Sequence, residues 1–313
     1  MLFLRYIAER LVYAVPVLLG VTLFVFVAIQ FVPGDPIRIM MHGRISDAEV
    51  AAIYARLGMD RPLPIQYLDF VRKAAGGDLG LSIIQNTAVA KLVGEKLAPT
   101  FWLLGMSTVL SVVIALPLAL LAAMRRNRPL DHTIRVVIMI GFAMPPYWIG
   151  LILILFFGLW LRLFPISGFG SGPLDHLRHL FLPGLTIACF LAPILVQSLR
   201  SSMLDVLAAE FVEVARAKGL GEWRILVKHV LRNALIPVIT VLAVNIGWLI
   251  SGAVIVEYVF SLPGLGSLLV RSVGYRDYPV IQGLSLVFAV IVVVVNLLAD
   301  LSYMLVDPRV LRK

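Results

Sequence analysis

Residues 210–237 read EFVEVARAKGLGEWRILVKHVLRNALIP. Eight of the first 23 residues are Asp, Glu, Lys or Arg, whereas only 14% of the 313-residue chain is charged and 60% is hydrophobic. Long apolar runs lie on both sides. A soluble domain averages about 25% charged residues, so the deficit and the run lengths place the chain in the membrane. The runs are continuous and not ten-residue alternating segments, which makes them helices and not barrel strands. The stretch is then a charged, helix-forming insert between two spans.

Working outward from it, the hydropathy pattern predicts an all-α membrane protein with six transmembrane helices, near 11–32, 99–123, 134–160, 181–199, 234–257 and 281–304. The first run is too long for a signal-peptide core of roughly 7–15 residues; it is read as an uncleaved span. Met144, Pro145 and Pro146 predict a bend in the third, because proline removes a backbone donor and clashes with the preceding turn. The only cysteine, Cys189, lies in an apolar run and reads as a packing residue.

Lys and Arg set the orientation. The N-terminus, 124–135, 200–233 and the C-terminal tail carry 15 basic and seven acidic residues; the other loops carry 12 and nine. Arg125, Arg126 and Arg128 give the clearest short-loop signal. The positive-inside rule puts both termini in the cytoplasm, and the net charge of +9 is mostly this bias.

Three parts follow: the N-terminus and first span (1–32), an outer-face helical segment (33–98), and a five-span core (99–313) with the charged loop at 200–237. In the outer segment, Ser46 to Glu49 reads as an N-cap opening a helix that ends at Gly58. Ile65 to Ala75 reads as a second helix, stopped by Gly76 and Gly77. Asn86 or Thr87 caps a third short helix reaching Lys96.

Within the charged loop, Ser202 to Lys218 has helical periodicity, with Met203, Val206, Leu207, Phe211, Val214 and Ala217 forming one apolar stripe. Gly219 ends that helix. A second helix is expected from Glu222 to Arg232, with Trp223, Leu226, Val227 and Val230 facing one way. Two short amphipathic helices meeting at a glycine read either as an interfacial hairpin or as a docking element for a soluble partner.

Glu213, Val214, Ala215 and Gly219, spaced EVAxxxG, resemble the EAA signature of ABC importer permeases. The wider stretch resembles the form found in the dipeptide, oligopeptide, nickel and glutathione permease family. PGDP (33–36), LGMDRPLPIQY (57–67), GDLG (77–80), the LP at 182–183, VEYVFSLPGLG (256–266), RDYPVIQG (276–283) and NLLADLSYMLVDPR (296–309) agree in order and spacing. Val214 departs from the EAA triplet, and Asn233 to Pro237 replaces the family-wide I-x-L-P ending, as the peptide branch does. The resemblance implies a permease subunit that pairs with a second homologous permease, two cytoplasmic ABC ATPases and an extracytoplasmic solute-binding protein. It implies that the loop is the coupling helix seated in the ATPase, with Glu213, Ala215 and Gly219 as coupling residues.

No G-x-x-x-x-G-K-[ST], G-x-S-x-G or H-E-x-x-H pattern occurs in the chain. The chain is therefore not expected to be an enzyme or to hold a cofactor or metal; ATP and Mg belong to the partner ATPases. His176 and His179, beside Asp175, read as a solvated loop face. Glu257 near one membrane boundary, and Asn296 with Asp300 near another, read as helix-tethering or pathway residues. Trp102, Tyr147, Trp148 and Trp160 read as an aromatic belt. Ser261 to Gly266 reads as a turn shaping the outer mouth or a short re-entrant piece. An ion-driven secondary transporter would show midplane charges or inverted repeats, and neither is evident.

Overall fold

The computed structural model describes residues 2–34, 37–38 and 46–306. Asp35 and Pro36 of the PGDP motif, His42, and the tail residues Arg309, Arg312 and Lys313 lie outside them. Among the described residues the chain is helical, with an isolated bridge between Leu81 and Ala88. Among these described residues, four helices are long and apolar enough to cross a membrane: Ile7–Gln30, Val89–Met124, Pro173–Leu207 and Tyr278–Leu298. The pair Pro129–Ala143 and Pro146–Trp160 makes a fifth if it counts as one span, but it bends by 102°. Met144, Pro145 and Pro146 were expected to kink a span; they break it, since Met144 and Pro145 both adopt extended backbone. Arg232–Val259 is a continuous 28-residue helix.

The chain divides into two compact units, Met1–Thr100 with Pro263–Val294, and Phe101–Leu262 with Val295–Lys313. The first unit holds α1 (Leu2–Gln30), α2 (Asp47–Leu57), α3 (Leu63–Ala75), the start of α4 (Val89–Met124), α10 (Leu265–Tyr275) and most of α11 (Tyr278–Val306). α2 begins and ends where its sequence says. The Ser46 side chain accepts from the Glu49 amide, Glu49 reaches back to the Ser46 amide, and Gly58 closes the helix at φ +68°. The short helix expected before Lys96 is instead the first turns of α4, a single 36-residue helix. The turn expected from Ser261 is present as far as Gly264; α10 then begins, and its Leu265 and Leu268 join a core of Val89, Leu92, Val93, Val280 and Leu284. The space is tight: a Cβ on Gly283 would stand 2.8 Å from Val89 Cγ1.

A buried carboxylate fastens this unit. Asp277 Oδ2 accepts from Ser82 Oγ at 2.5 Å, and Asp277 Oδ1 accepts from the Ile83 amide at 3.1 Å. Asp277 and Ser82 are both buried. The loop between α3 and α4 is thereby tied to the turn between α10 and α11.

In the second unit α7 (Pro173–Leu207) is the hub. It packs on α5 (Pro129–Ala143), α6 (Pro146–Leu153, continued as a π-helix over Ile154–Trp160) and the helix Arg232–Val259. Small residues permit the approach: a Cβ on Gly184 would lie 2.9 Å from Met106 Cγ, and one on Gly150 would lie 3.1 Å from Phe260. His176 is not a free solvated face. Its ring stacks on Phe169 at a centroid distance of 3.9 Å, and its Nδ1 lies 2.7 Å from the Phe169 carbonyl.

Candidate coupling site

The charged loop emerges at the end of α7. The expected single helix from Ser202 to Lys218 is broken: α7 stops at Leu207, Ala209 is extended, and α8 runs Glu210–Ala217. A separate helix turns its own face to the chain. Its buried residues are Val212 and Ala215, which pack toward the π-helical segment Ile225–Leu231. Phe211 and Val214, two residues of the apolar stripe expected from the sequence, are 46% and 53% exposed.

Gly219 follows at φ +76°, a left-handed conformation that glycine adopts without penalty. Its amide donates to the Arg216 carbonyl at 2.9 Å, and the Leu220 amide donates to Ala215, so the turn satisfies carbonyls that the helix end would leave open. The chain then re-enters a helix at Glu222–Arg224, winds as a π-helix over Ile225–Leu231, and continues into α9 (Arg232–Val259). Arg216 spans the turn. Its Nε donates to Glu222 Oε1 at 2.7 Å and its Nη2 to Glu222 Oε2 at 3.2 Å. This two-pronged clasp links the end of α8 to the start of the returning helix across the turn. The guanidinium holds the Glu222 carboxyl below the usual carboxylate range.

The three sequence-derived coupling residues therefore sit in different roles. Glu213 is exposed on α8, Gly219 forms the turn, and Ala215 is buried against its own chain. The outward surface they frame carries Phe211, Val214 and Trp223, the last 62% exposed. Apolar anchors on a short exposed helix suit a groove on a partner.

Behind the loop is a pair that sequence reasoning missed. Asp131, fully buried at the start of α5, accepts from Arg200 Nε at 2.8 Å and from Arg200 Nη2 at 2.6 Å. It also accepts from the Asn127 amide at 2.9 Å. Arg200 lies two turns before the end of α7, so this pair braces the helix that delivers α8. Charge alone marked Arg200 as basic; nothing local in the sequence marked its partner.

The candidate intramembrane polar residues do not gather around the loop. Glu257 is buried in the last turn of α9, and its carbonyl accepts from the Leu262 amide at 2.8 Å. Asn296 and Asp300 stand one turn apart on α11, Asn296 exposed and Asp300 half-buried.

Two family models account for nearly the whole chain. Residues 115–312 match "Binding-protein-dependent transport system inner membrane component", and residues 3–101 match the N-terminal model of the same systems. The chain belongs to this family. The permease is 40% identical over 311 residues to the oligopeptide transport system permease protein AppB of Bacillus subtilis, covering 97% of this chain and 98% of that one. It is 35% identical over 337 residues to the dipeptide transport system permease protein DppB of Escherichia coli K12, covering 99% of each. Its fold is similar to a chain of the inward-facing MetNI methionine ABC transporter, with a TM-score of 0.58 and 19% identity over 69% of this chain and 96% of that one. It is thus an ABC importer permease, a multi-pass inner-membrane subunit and not an enzyme, and the ion-driven alternative is set aside.

Proposed function

We propose that this permease moves peptides, or a related small solute handed over by a binding protein, and that α8 is the helix through which ATP hydrolysis on partner subunits drives it. The observation that carries this reading is the geometry of 210–224: a short helix with exposed apolar anchors, clasped by Arg216 and Glu222 across the Gly219 turn. Peptide cargo is supported by the peptide-transport relatives. In this reading the chain has six spans, with α9 complete and Pro129–Trp160 as one broken span. Both termini and the coupling loop are cytoplasmic. Residues 1–32 form the N-terminus and first span, 33–98 the outer segment, and 99–313 the core. The partners are a second homologous permease, two ABC ATPases carrying ATP and Mg, and a binding protein at the outer face. Glu213 and Gly219 act at the ATPase contact, and Ala215 lets α8 lie close to its own chain. Glu257, Asn296 and Asp300 tether helices or line the route between the two permeases.

Co-expression of the tagged chain with ATPase candidates from neighbouring genes tests this. The native chain should retain an ATPase that Gly219→Pro and Glu213→Lys lose while remaining folded. Retention by both variants would make the loop an interfacial hairpin instead.

A further inference from the structure

α3, Leu63–Ala75, belongs to the segment read from the sequence as outer-face. Its contacts put it deeper. The Tyr67 hydroxyl donates to the Leu19 carbonyl at 2.9 Å and lies 3.1 Å from Thr22 Oγ1. The Phe26 and Tyr67 rings are 5.5 Å apart. Leu19 stands 12 residues past Ile7 and 11 before Gln30, the middle of the 24-residue candidate span Ile7–Gln30, whose charged residues, Glu9 and Arg10, lie at its far end. Eleven residues at about 1.5 Å each place its carbonyl about 16 Å along the helix from Gln30, close to half of a hydrocarbon core of about 30 Å. Whichever end of α1 faces out, a tyrosine that reaches this level carries its own helix below the headgroups.

The rest of α3 is composed for that depth. At 100° per residue its surface divides into three sides. Tyr67 turns toward α1, and Phe70 and Ala74 fall on the same side of the helix by spacing. Gln66, Asp69 and Lys73 line a cavity of about 310 Å³ shared with Gln30, Arg61 and Gln282. The third side presents Leu68 at 65% and Ile65 at 45% exposure, with Arg72 at its end. Arg61 donates to Asp69 at 2.7 Å, which lowers the cost of holding these two charges near lipid. Arg72 and Lys73 come in the last turn, with stems long enough to reach headgroups.

We infer that α3 is embedded in one leaflet of the bilayer, with lipid acyl chains covering its Ile65 and Leu68 side. Protein on that side would have to enter the hydrocarbon region to reach it, so this face is withdrawn from any contact with a soluble binding protein. The inference rests on membrane insertion of α1 and holds whether or not α8 engages an ATPase.

The experiment is nitroxide scanning. Ile65→Cys and Leu68→Cys are each made in a Cys189→Ala background, in the full chain purified with its accompanying subunits and reconstituted into phosphatidylcholine vesicles. Collisions with oxygen, which partitions into lipid, are compared with collisions with a water-soluble nickel chelate. Phe24→Cys, on the exposed side of α1, is the lipid reference. Ala52→Cys, one turn from the exposed Glu49, is the water reference. Positions 65 and 68 should match position 24: oxygen collisions high and nickel collisions lost. Nickel collisions equal to those at position 52 would overturn the inference. So would protection from both reagents, which would mean that protein covers the face.

Discussion

Arg200 closes on Asp131 with both prongs of its guanidinium while the carboxylate is wholly buried. The same carboxylate holds the amide of Asn127, whose φ of +58° turns the short basic loop between α4 and α5. One acid therefore secures both a loop and the helix that leads to the coupling segment. Removing one partner of a buried pair costs up to about 3–5 kcal/mol, although Arg135, with Nε 3.8 Å from Asp131 Oδ1, keeps part of the compensation. Arg200→Met should lower the thermal midpoint in detergent sharply. Asp131→Asn with Arg200→Met should recover part of the loss, because the two changes remove one interaction and do not add. Thermal unfolding followed by size-exclusion fluorescence reads this; additive losses would mean that the pair contributes little.

Gly219 is required by conformation and not by space. A Cβ there would meet nothing within 4 Å, yet φ is +76°. Gly219→Ala should therefore cost about 1–2 kcal/mol locally through left-handed strain, and Gly219→Asn less, since asparagine tolerates that region. Substrate-stimulated ATP hydrolysis in the assembled transporter should fall in the order glycine, asparagine, alanine. Equal activity of all three would show that the turn angle is not transmitted.

Asp277 gathers the Ser82 hydroxyl and the Ile83 amide into one buried acceptor. Asp277→Ala leaves these donors unsatisfied, at about 1–3 kcal/mol for each buried polar group. Hydrogen exchange in the peptide covering 82–85 should accelerate, while exchange in α2 stays unchanged. Unaltered exchange at 82–85 would mean that the loop is held by other means.

What could be read from sequence was what is locally encoded. Ser46, Glu49 and Gly58 bound α2 because a capping box and a left-handed glycine act within one turn. The apolar runs marked helices because burial of backbone groups in lipid leaves few alternatives. Three features were illegible for reasons that are equally physical. Asp131 with Arg200 and Ser82 with Asp277 are separated by 69 and 195 residues, and no local pattern announces such partners. The break at Ala208 and Ala209 falls on strong helix formers within a continuous apolar stripe; packing of Val212 and Ala215 overrode it. The prolines at 145 and 146 signalled a disruption, but the 102° angle belongs to the helices they join.

The Arg216 and Glu222 clasp makes a prediction about pH. Arg216 donates two hydrogen bonds to Glu222, which lowers the carboxyl's pKa in the folded protein. A carboxylate with a depressed folded pKa contributes to the fold above its unfolded pKa, and that contribution is lost as pH falls through the folded value. The clasp should thus be intact at neutral pH and open only in acid. Both side chains are exposed, so salt screening keeps the effect local. Carbon-13 titration of labelled glutamate should show the Glu222 midpoint rising in Arg216→Gln, and high salt should move the native midpoint the same way. A midpoint indifferent to the Arg216 change would mean that the two side chains do not hold each other in solution. The angle of the returning helix would then rest on the Gly219 turn alone.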